Sequence, residues 1–328
     1  MQTRLPERIR LAHLPTPLEK LPRLSEELGG PEIHIKRDDL TGMVETGNKI
    51  RKLEFLLAEA QQQGCQVLIT CGGAQSNHAR ATAVAAARSG LKCHLVLRNS
   101  TGSEFDGNLL IDRLVGAEIK FITPQEYEQV DDIMGKLAEQ YVTQGSKPYV
   151  IPEGGSNALG TLGYVVAMQE LAEQAAAQSL QFDHLICPVG SGGTLAGMLL
   201  GESLCGLTAQ IHGVNVCDDA PHFQNRVSSI LRSARRKFGF ELNLQSHDIS
   251  IIDGYVGKGY GLNRQEEIEL MKHVAQREGV ILDPVYTGKA MFGLVDQIRQ
   301  GRFKPDEKIL FWHTGGIFAL FPKKALFF

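Results

Sequence analysis

The chain has 328 residues, with 34 Lys+Arg against 37 Asp+Glu, a net charge of −3 and a pI near 6.4. At 43% apolar and 22% charged residues it reads as a folded globular protein long enough for two domains, which excludes disordered and collagen-like chains. The near-neutral charge excludes a basic nucleic-acid binder or a membrane-surface protein.

In chain order, the N-terminal segment MQTRLPERIRLAHLP is charged every few positions and lacks an apolar run, so no secretory signal is expected. Short β-branched runs at 33–36, 67–71, 94–97, 119–122, 149–151, 184–189, 211–216 and 309–313 are expected strands. Between them, apolar residues recur at helical spacing: Ile50, Leu53, Leu57 and Ala60, then Leu109, Leu110 and Leu114, with further helices over 162–177 and 265–277. This alternation predicts parallel sheets with crossover helices in two compact α/β lobes. Residues 185–201 form the longest uncharged stretch, but the glycines, Pro188 and Ser191 within it argue against a membrane span. A buried strand, a Gly-rich turn and a packed helix fit it better. The six cysteines are scattered, with no C-x-x-C pair and no zinc-finger histidine spacing, and are expected to be reduced in a cytosolic protein.

Six segments could carry chemistry. Gly190-Ser191-Gly192-Gly193-Thr194 follows a strand and opens a helix, where free amides and the helix dipole can hold a phosphate. It fits neither a Walker A loop nor the dinucleotide fingerprint, so it is a tight turn or a site for a smaller phosphorylated ligand. Lys49, Arg51 and Lys52 crowd a first helical turn, against the macrodipole. Each suits a solvated surface, yet a lysine there would keep a neutral amine able to form a Schiff base. Ser76 or Asn77, after Gly72-Gly73, is an N-cap or part of a carboxylate cradle, with His78 beside it. Tyr260 and Tyr286 lie in Gly-rich loops and either pack or face a planar ligand. Thr314 ends the last strand, at the edge where open α/β sheets bind ligands.

Taken together, KRDDLTG, GNKIRKLEFL, GGAQSNHARAT, GNLLIDRLVGA, PYVIPEGGSNALGTLGY, GSGGTLAG, GVILDPVYTGKA and ILFWHTGG resemble the D-cysteine desulfhydrase and 1-aminocyclopropane-1-carboxylate (ACC) deaminase family. That family belongs to the fold-type-II, tryptophan-synthase-β-like enzymes dependent on pyridoxal 5'-phosphate. The resemblance covers nearly the whole chain. It implies a two-lobed α/β fold, each lobe an open twisted, mostly parallel sheet flanked by helices, with 49–158 a small domain inserted between 1–48 and 159–328. It further implies that Lys49 carries the cofactor covalently, that Gly190, Ser191, Gly192, Gly193 and Thr194 bind its phosphate, and that Asn77 meets the ring hydroxyl. By the same matching Tyr286 stacks on the pyridine, Thr314 bonds its nitrogen, and Ser76, Asn77 and His78 meet the substrate carboxylate near Tyr260. Many members read Gly-Gly-Asn-Lys, whereas this chain has Glu45-Thr46-Gly47-Asn48-Lys49, a departure beside the cofactor lysine.

After the stacking tyrosine, members that open the ACC ring resemble one another in carrying a glutamate, placed to protonate the pyridine nitrogen. Here the residue is Thr287, and a hydroxyl stabilises a pyridinium less than a carboxylate does. A weaker electron sink suits a substrate with a good β-leaving group, so the expected reaction is β-elimination of D-cysteine to pyruvate, ammonia and hydrogen sulfide, with Lys49, Ser76, Tyr260 and Tyr286 catalytic and Thr287 at the substrate. ACC deamination or L-cysteate desulfonation is the alternative within the family; a catalytically silent phosphate-ligand binding protein is the alternative of another class. A small amino-acid substrate, no nucleic-acid or membrane partner, a cytoplasmic location and a homodimer complete the expectation. The glycine excess, 35 in all, is expected to reflect backbone clearance around one planar cofactor.

Overall fold

The computed structural model describes residues 5–99, 105–240 and 244–328. In chain order the strands are β1 (Leu18–Lys20), β2 (Glu32–Arg37), β3 (Val67–Gly73), β4 (Lys92–Arg98), β5 (Glu118–Ile122), β6 (Pro148–Val150), β7 (His184–Val189), β8 (Gln210–Asn215), β9 (Ser250–Ile252) and β10 (Lys308–His313). They form a six-stranded sheet ordered β1-β2-β10-β7-β8-β9 and a four-stranded sheet ordered β5-β4-β3-β6. Every pairing is parallel except β1 with β2. The eight expected strands are all present. Those additional to them, β1 and β9, are three residues each at the two edges of the larger sheet, too short for a period to register in sequence.

Burial explains why these runs are strands. All six residues of β7 are buried, as befits a parallel strand covered by helices on both faces. In β3 the period of two sorts the side chains: Leu68 joins a core cluster with Leu56, Leu95, Leu162 and Trp312, whereas Val67 and Ile69 face Met134 and Tyr141 on the other side. The first cluster is continuous from the small sheet to Leu310 and Trp312 of the large one. A further cluster, with Ile35, Phe311, Met271 and Leu294, covers the far face of the large sheet.

The helix Leu162–Ala177 has the expected bounds, and Gln265–Glu278 runs one residue past them. The helix Gly193–Cys205 lies against Leu162–Ala177 closely enough that a Cβ on Gly197 would sit 2.4 Å from the Thr161 carbonyl oxygen. One turn on, a Cβ on Gly201 would sit 2.6 Å from Met168 Cβ. Part of the glycine excess therefore serves helix packing rather than clearance at a ligand, which corrects the reading from composition.

The buried cations of the helix Lys49–Gln62 explain its awkward first turn. Arg51, 1% exposed, meets Asp38 through Nη2 at 2.7 Å and Nε at 2.9 Å, and meets Glu170 through Nη1 at 2.9 Å. Lys36 reaches the same Glu170 at 2.5 Å, and the Tyr164 hydroxyl donates to Asp38 at 2.6 Å. Two cations and two carboxylates thus lock the helix to β2 and to Leu162–Ala177. Parallel sheets present their loops at the C-terminal ends of their strands, and there the segments after β3, β7 and β10 converge on the N-terminus of the locked helix.

Candidate active site

Lys49 is the first residue of its helix and 9% exposed. Burial presses its amine down to about 8, against a small opposing pull from Glu153. Among the described residues no group hydrogen-bonds or ion-pairs with its Nζ, so the amine is held as a free nucleophile. The neighbouring departures from the family pattern face elsewhere: Glu45 pairs with Arg88, and Thr46 Oγ1 donates to the Asp39 carbonyl.

One cavity beside the lysine is lined by Asn48, Asn77, Gly190, Ser191, Gly192, Thr194, Tyr286 and Thr314. Gly192 turns the chain from β7 into the helix Gly193–Cys205 with a left-handed φ of 81° that an L side chain rarely adopts. The loop is braced from behind, where Ser156 Oγ accepts from the Gly193 amide at 3.2 Å and shares a hydrogen bond with Ser191 Oγ at 2.9 Å. Tyr286 lies against Gly190, where a Cβ would come within 2.8 Å of its ring. Asn77 Oδ1 accepts from Asn108 at 3.0 Å, which turns its amide N–H groups toward the cavity. Ser76 is the N-cap of the helix Asn77–Arg88, its Oγ accepting from the Ala79 amide at 3.2 Å.

A wider, more open chamber continues past Lys49, lined by Gly72, Gly73, Ser76, His78, Tyr260 and Tyr286. The two tyrosine hydroxyls share a short hydrogen bond, and burial together with Tyr260 holds Tyr286 well above the ordinary phenol value. This chamber also contains residues that the sequence reading missed: Arg98, Tyr127, Glu153, Cys217 and Asp218. Arg98 lies 4.9 Å from the Tyr127 ring centre and 5.9 Å from that of Tyr260. Only Glu153 lies within a quoted motif, PYVIPEGGSNALGTLGY; the other four are brought together from strands and loops far apart in sequence.

Thr287 is placed differently from the expectation. It is fully buried and absent from the lining of both chambers. Its hydroxyl donates to Asp283 Oδ1 at 2.8 Å and accepts from the Asp283 amide at 2.7 Å. Its role is to close the N-terminal turn of the helix Thr287–Arg299, with Asp283 also accepting the amides of Val285, Tyr286 and Thr287.

Residues 9–315 match the profile of the pyridoxal-phosphate-dependent enzyme family. The chain belongs to that family. It is 46% identical over 325 residues to a bifunctional D-cysteine desulfhydrase/ACC deaminase of Arabidopsis thaliana, covering 95% of this chain and 79% of that protein. It is 44% identical to a D-cysteine desulfhydrase of Klebsiella pneumoniae, covering 97% and 96% of the two chains. A solved structure described as an ACC deaminase homologue superposes with a TM-score of 0.90 at 40% identity, covering 98% and 95%. The chain is thus a member of the D-cysteine desulfhydrase and ACC deaminase group within the pyridoxal-phosphate enzymes.

The residues present fit the cofactor. A free buried amine suits its aldehyde, and the uncrowded glycine loop at a helix N-terminus suits its phosphate. Lys52 adds a third match that sequence reasoning passed over. It is 1% exposed and its Nζ donates at 3.2 Å both to the Gly154 carbonyl and to Ser156 Oγ, beside the amide of Gly193. Among the described residues it has no carboxylate partner, and burial followed by the nearby Lys49 charge drives its pKa well below the ordinary lysine value. A phosphate dianion at the loop would supply the missing counter-charge. Lys52→Met is expected to weaken pyridoxal phosphate binding by roughly 10–100-fold, the size of a lost charge-assisted hydrogen bond, and to leave pyridoxal, which has no phosphate, unaffected. Absorbance titration of the two compounds decides it; equal losses would mean that Lys52 serves only the fold.

Proposed function

We propose that the enzyme catalyses β-elimination of D-cysteine, in which D-cysteine and water give pyruvate, ammonia and hydrogen sulfide. When bound, pyridoxal phosphate supplies an electron sink for negative charge at the substrate α-carbon. In this reading the amides of Gly190, Ser191, Gly192, Gly193 and Thr194, with Lys52, hold the phosphate, and Lys49 Nζ anchors the cofactor covalently. Asn77 directs its N–H groups at the ring hydroxyl, Tyr286 covers the ring, and Thr314 bonds the ring nitrogen. The helix N-terminus at Ser76 and Asn77 receives the substrate carboxylate.

When free of the cofactor, Lys49 Nζ would take the α-proton. It is the best candidate because it has no partner among the described residues and burial presses its pKa down to about 8. The Tyr286 phenol holds its proton too tightly to act as the base, and Tyr260 shields the chamber from its exposed side. Proton transfer and departure of hydrosulfide from the β-carbon complete the bond changes; water then replaces the amine.

The observation that carries the choice of substrate is the state of Asp283 and Thr287. Both Asp283 oxygens and the Thr287 hydroxyl are consumed in the helix cap, so neither offers a carboxylate to the ring nitrogen. A sink left without a pyridinium favours a substrate whose leaving group drains the charge quickly, as a β-thiol does and a cyclopropane carbon does not. ACC deamination is the second reading, favoured by the Thermotoga maritima relative, 46% identical and named a putative ACC deaminase. Sulfide release from D-cysteine is expected to exceed α-ketobutyrate release from ACC at equal substrate concentrations; dominant ACC turnover would overturn the proposal.

The domain division goes with this reading: 49–158 as a small domain between 1–48 and 159–328, with the cleft between them holding the cofactor. Supporting it, the four-stranded sheet draws only on residues 67–150. A homodimer in the cytoplasm is the proposed setting. All six cysteines are unpaired, which suits a reducing compartment, and among the described residues no helix is long and apolar enough to cross a membrane.

A further inference from the structure

His78 is 3% exposed and lines the chamber that also holds Lys49, Ser76 and Tyr260. Its Nε2 lies 2.9 Å from Thr70 Oγ1, and that oxygen lies 2.8 Å from the Ile151 carbonyl oxygen. A carbonyl can only accept, so the single hydroxyl hydrogen of Thr70 points at Ile151. Thr70 must then accept from His78, and the imidazole hydrogen is on Nε2. The other nitrogen, Nδ1, is buried and has no hydrogen-bond partner among the described residues. Burial, and after it the charges of Lys49 and Lys52, oppose a second proton on the ring. His78 is therefore a neutral imidazole with a bare lone pair, an arrangement that is costly in a folded protein unless a ligand completes it.

An amino acid with a β-thiol brings three polar groups to such a chamber. Its carboxylate is acceptor-only and is repelled by a lone pair, and its nitrogen is committed to the cofactor. The thiol hydrogen is the donor that remains.

We infer that His78, fixed by Thr70 as the Nε2–H tautomer, accepts a hydrogen bond at Nδ1 from the β-substituent of the substrate and so selects amino acids that carry a donor there. This deepens the D-cysteine reading and rests on it for the identity of the substituent. It assigns His78 a different duty from the carboxylate contact that resemblance suggests. ACC, with only carbon and hydrogen at that position, offers the acceptor nothing.

His78→Gln tests the assignment, because a glutamine amide can keep the N–H toward Thr70 while placing no lone pair where Nδ1 stood. With the holoenzyme, the initial spectral shift of the bound cofactor reads the affinity for D-serine, a strong donor, against D-alanine, which has none. Wild type is expected to favour D-serine by roughly tenfold, the value of one net hydrogen bond, and His78→Gln to bring the ratio close to one with D-alanine affinity unchanged. Parallel weakening of both ligands, or an unaltered ratio, overturns the inference. Nitrogen-15 NMR of the wild-type histidines gives a reading independent of any variant: a proton on Nδ1 of His78 also overturns it. No sulfide assay enters, so failure of the D-cysteine reading and failure of the acceptor are separate results.

Discussion

Lys49→Ala is expected to lower sulfide release from D-cysteine by more than about 10³-fold, because one amine serves as both anchor and base. The variant should also lack the covalent cofactor signal that borohydride reduction fixes on the wild-type chain. Covalent attachment at any other lysine would sink the assignment, and Lys52, three residues on, is the internal control. The wild-type amine makes a second, pH-dependent prediction. Only its neutral form attacks an aldehyde, and burial lowers its pKa from 10.5 to about 8. Capture of pyridoxal phosphate by the apoprotein should therefore accelerate as pH rises, reach half its maximum near 8 and level off about one unit above. An acceleration that continues toward 10 would place the lysine in solvent. Stopped-flow absorbance separates the two.

The largest stability effect is expected at Asp38, which touches neither chamber. Asp38→Ala removes the carboxylate that meets Arg51 through two nitrogens at 2.7 and 2.9 Å and accepts from Tyr164 at 2.6 Å. Arg51, at 1% exposure, would keep only Glu170 as a carboxylate partner, beside its hydrogen bond to Thr16 Oγ1, and breaking one partner out of a buried ion network costs about 3–5 kcal/mol. The midpoint of denaturant unfolding should fall accordingly with an unchanged slope. Burial is the largest single influence and would raise the Asp38 pKa, but the charge and hydrogen bonds of Arg51, with Lys36 and Tyr164, together outweigh it and the net shift is downward from 3.8. A carboxylate with a depressed pKa stabilises the fold fully above its unfolded value and loses that contribution as pH falls through the folded one. Wild type and Asp38→Asn should therefore differ most at neutral pH and converge in acid. A constant difference across that range would mean that Asp38 acts by packing alone.

Much of the site was legible because it is built from short contiguous motifs at strand ends. The helix over 162–177, the eight principal strands and the turn at 190–194 follow from burial and period, which are local properties. Ser76 as N-cap follows from residue type. The far wall of the outer chamber was not legible: Arg98 ends β4, Glu153 opens a short 3-10 turn and Asp218 lies in a connecting loop, and only the convergence of separate strands makes them neighbours. The misreading at Thr287 has the same origin. Its identity was plain, but the direction of its hydroxyl depends on Asp283, four residues earlier, turning back to cap the same helix. Composition misled over glycine in a related way, since Gly197 and Gly201 are explained by a partner helix rather than by a loop.

The sequence by itself determined the alternation of strand and helix, the lysine at a helix start, the glycine loop and the family, because each is written in residue type and local spacing. Tertiary structure alone decided which cations are neutralised. Lys49, Arg51 and Lys52 share one helical turn, yet Arg51 is paired with Asp38 and Glu170, whereas among the described residues Lys52 lacks a counter-charge beside the glycine loop and Lys49 has no partner. Their pKa values and roles diverge because burial and long-range partners, not sequence neighbours, set the electrostatic environment of a buried charge.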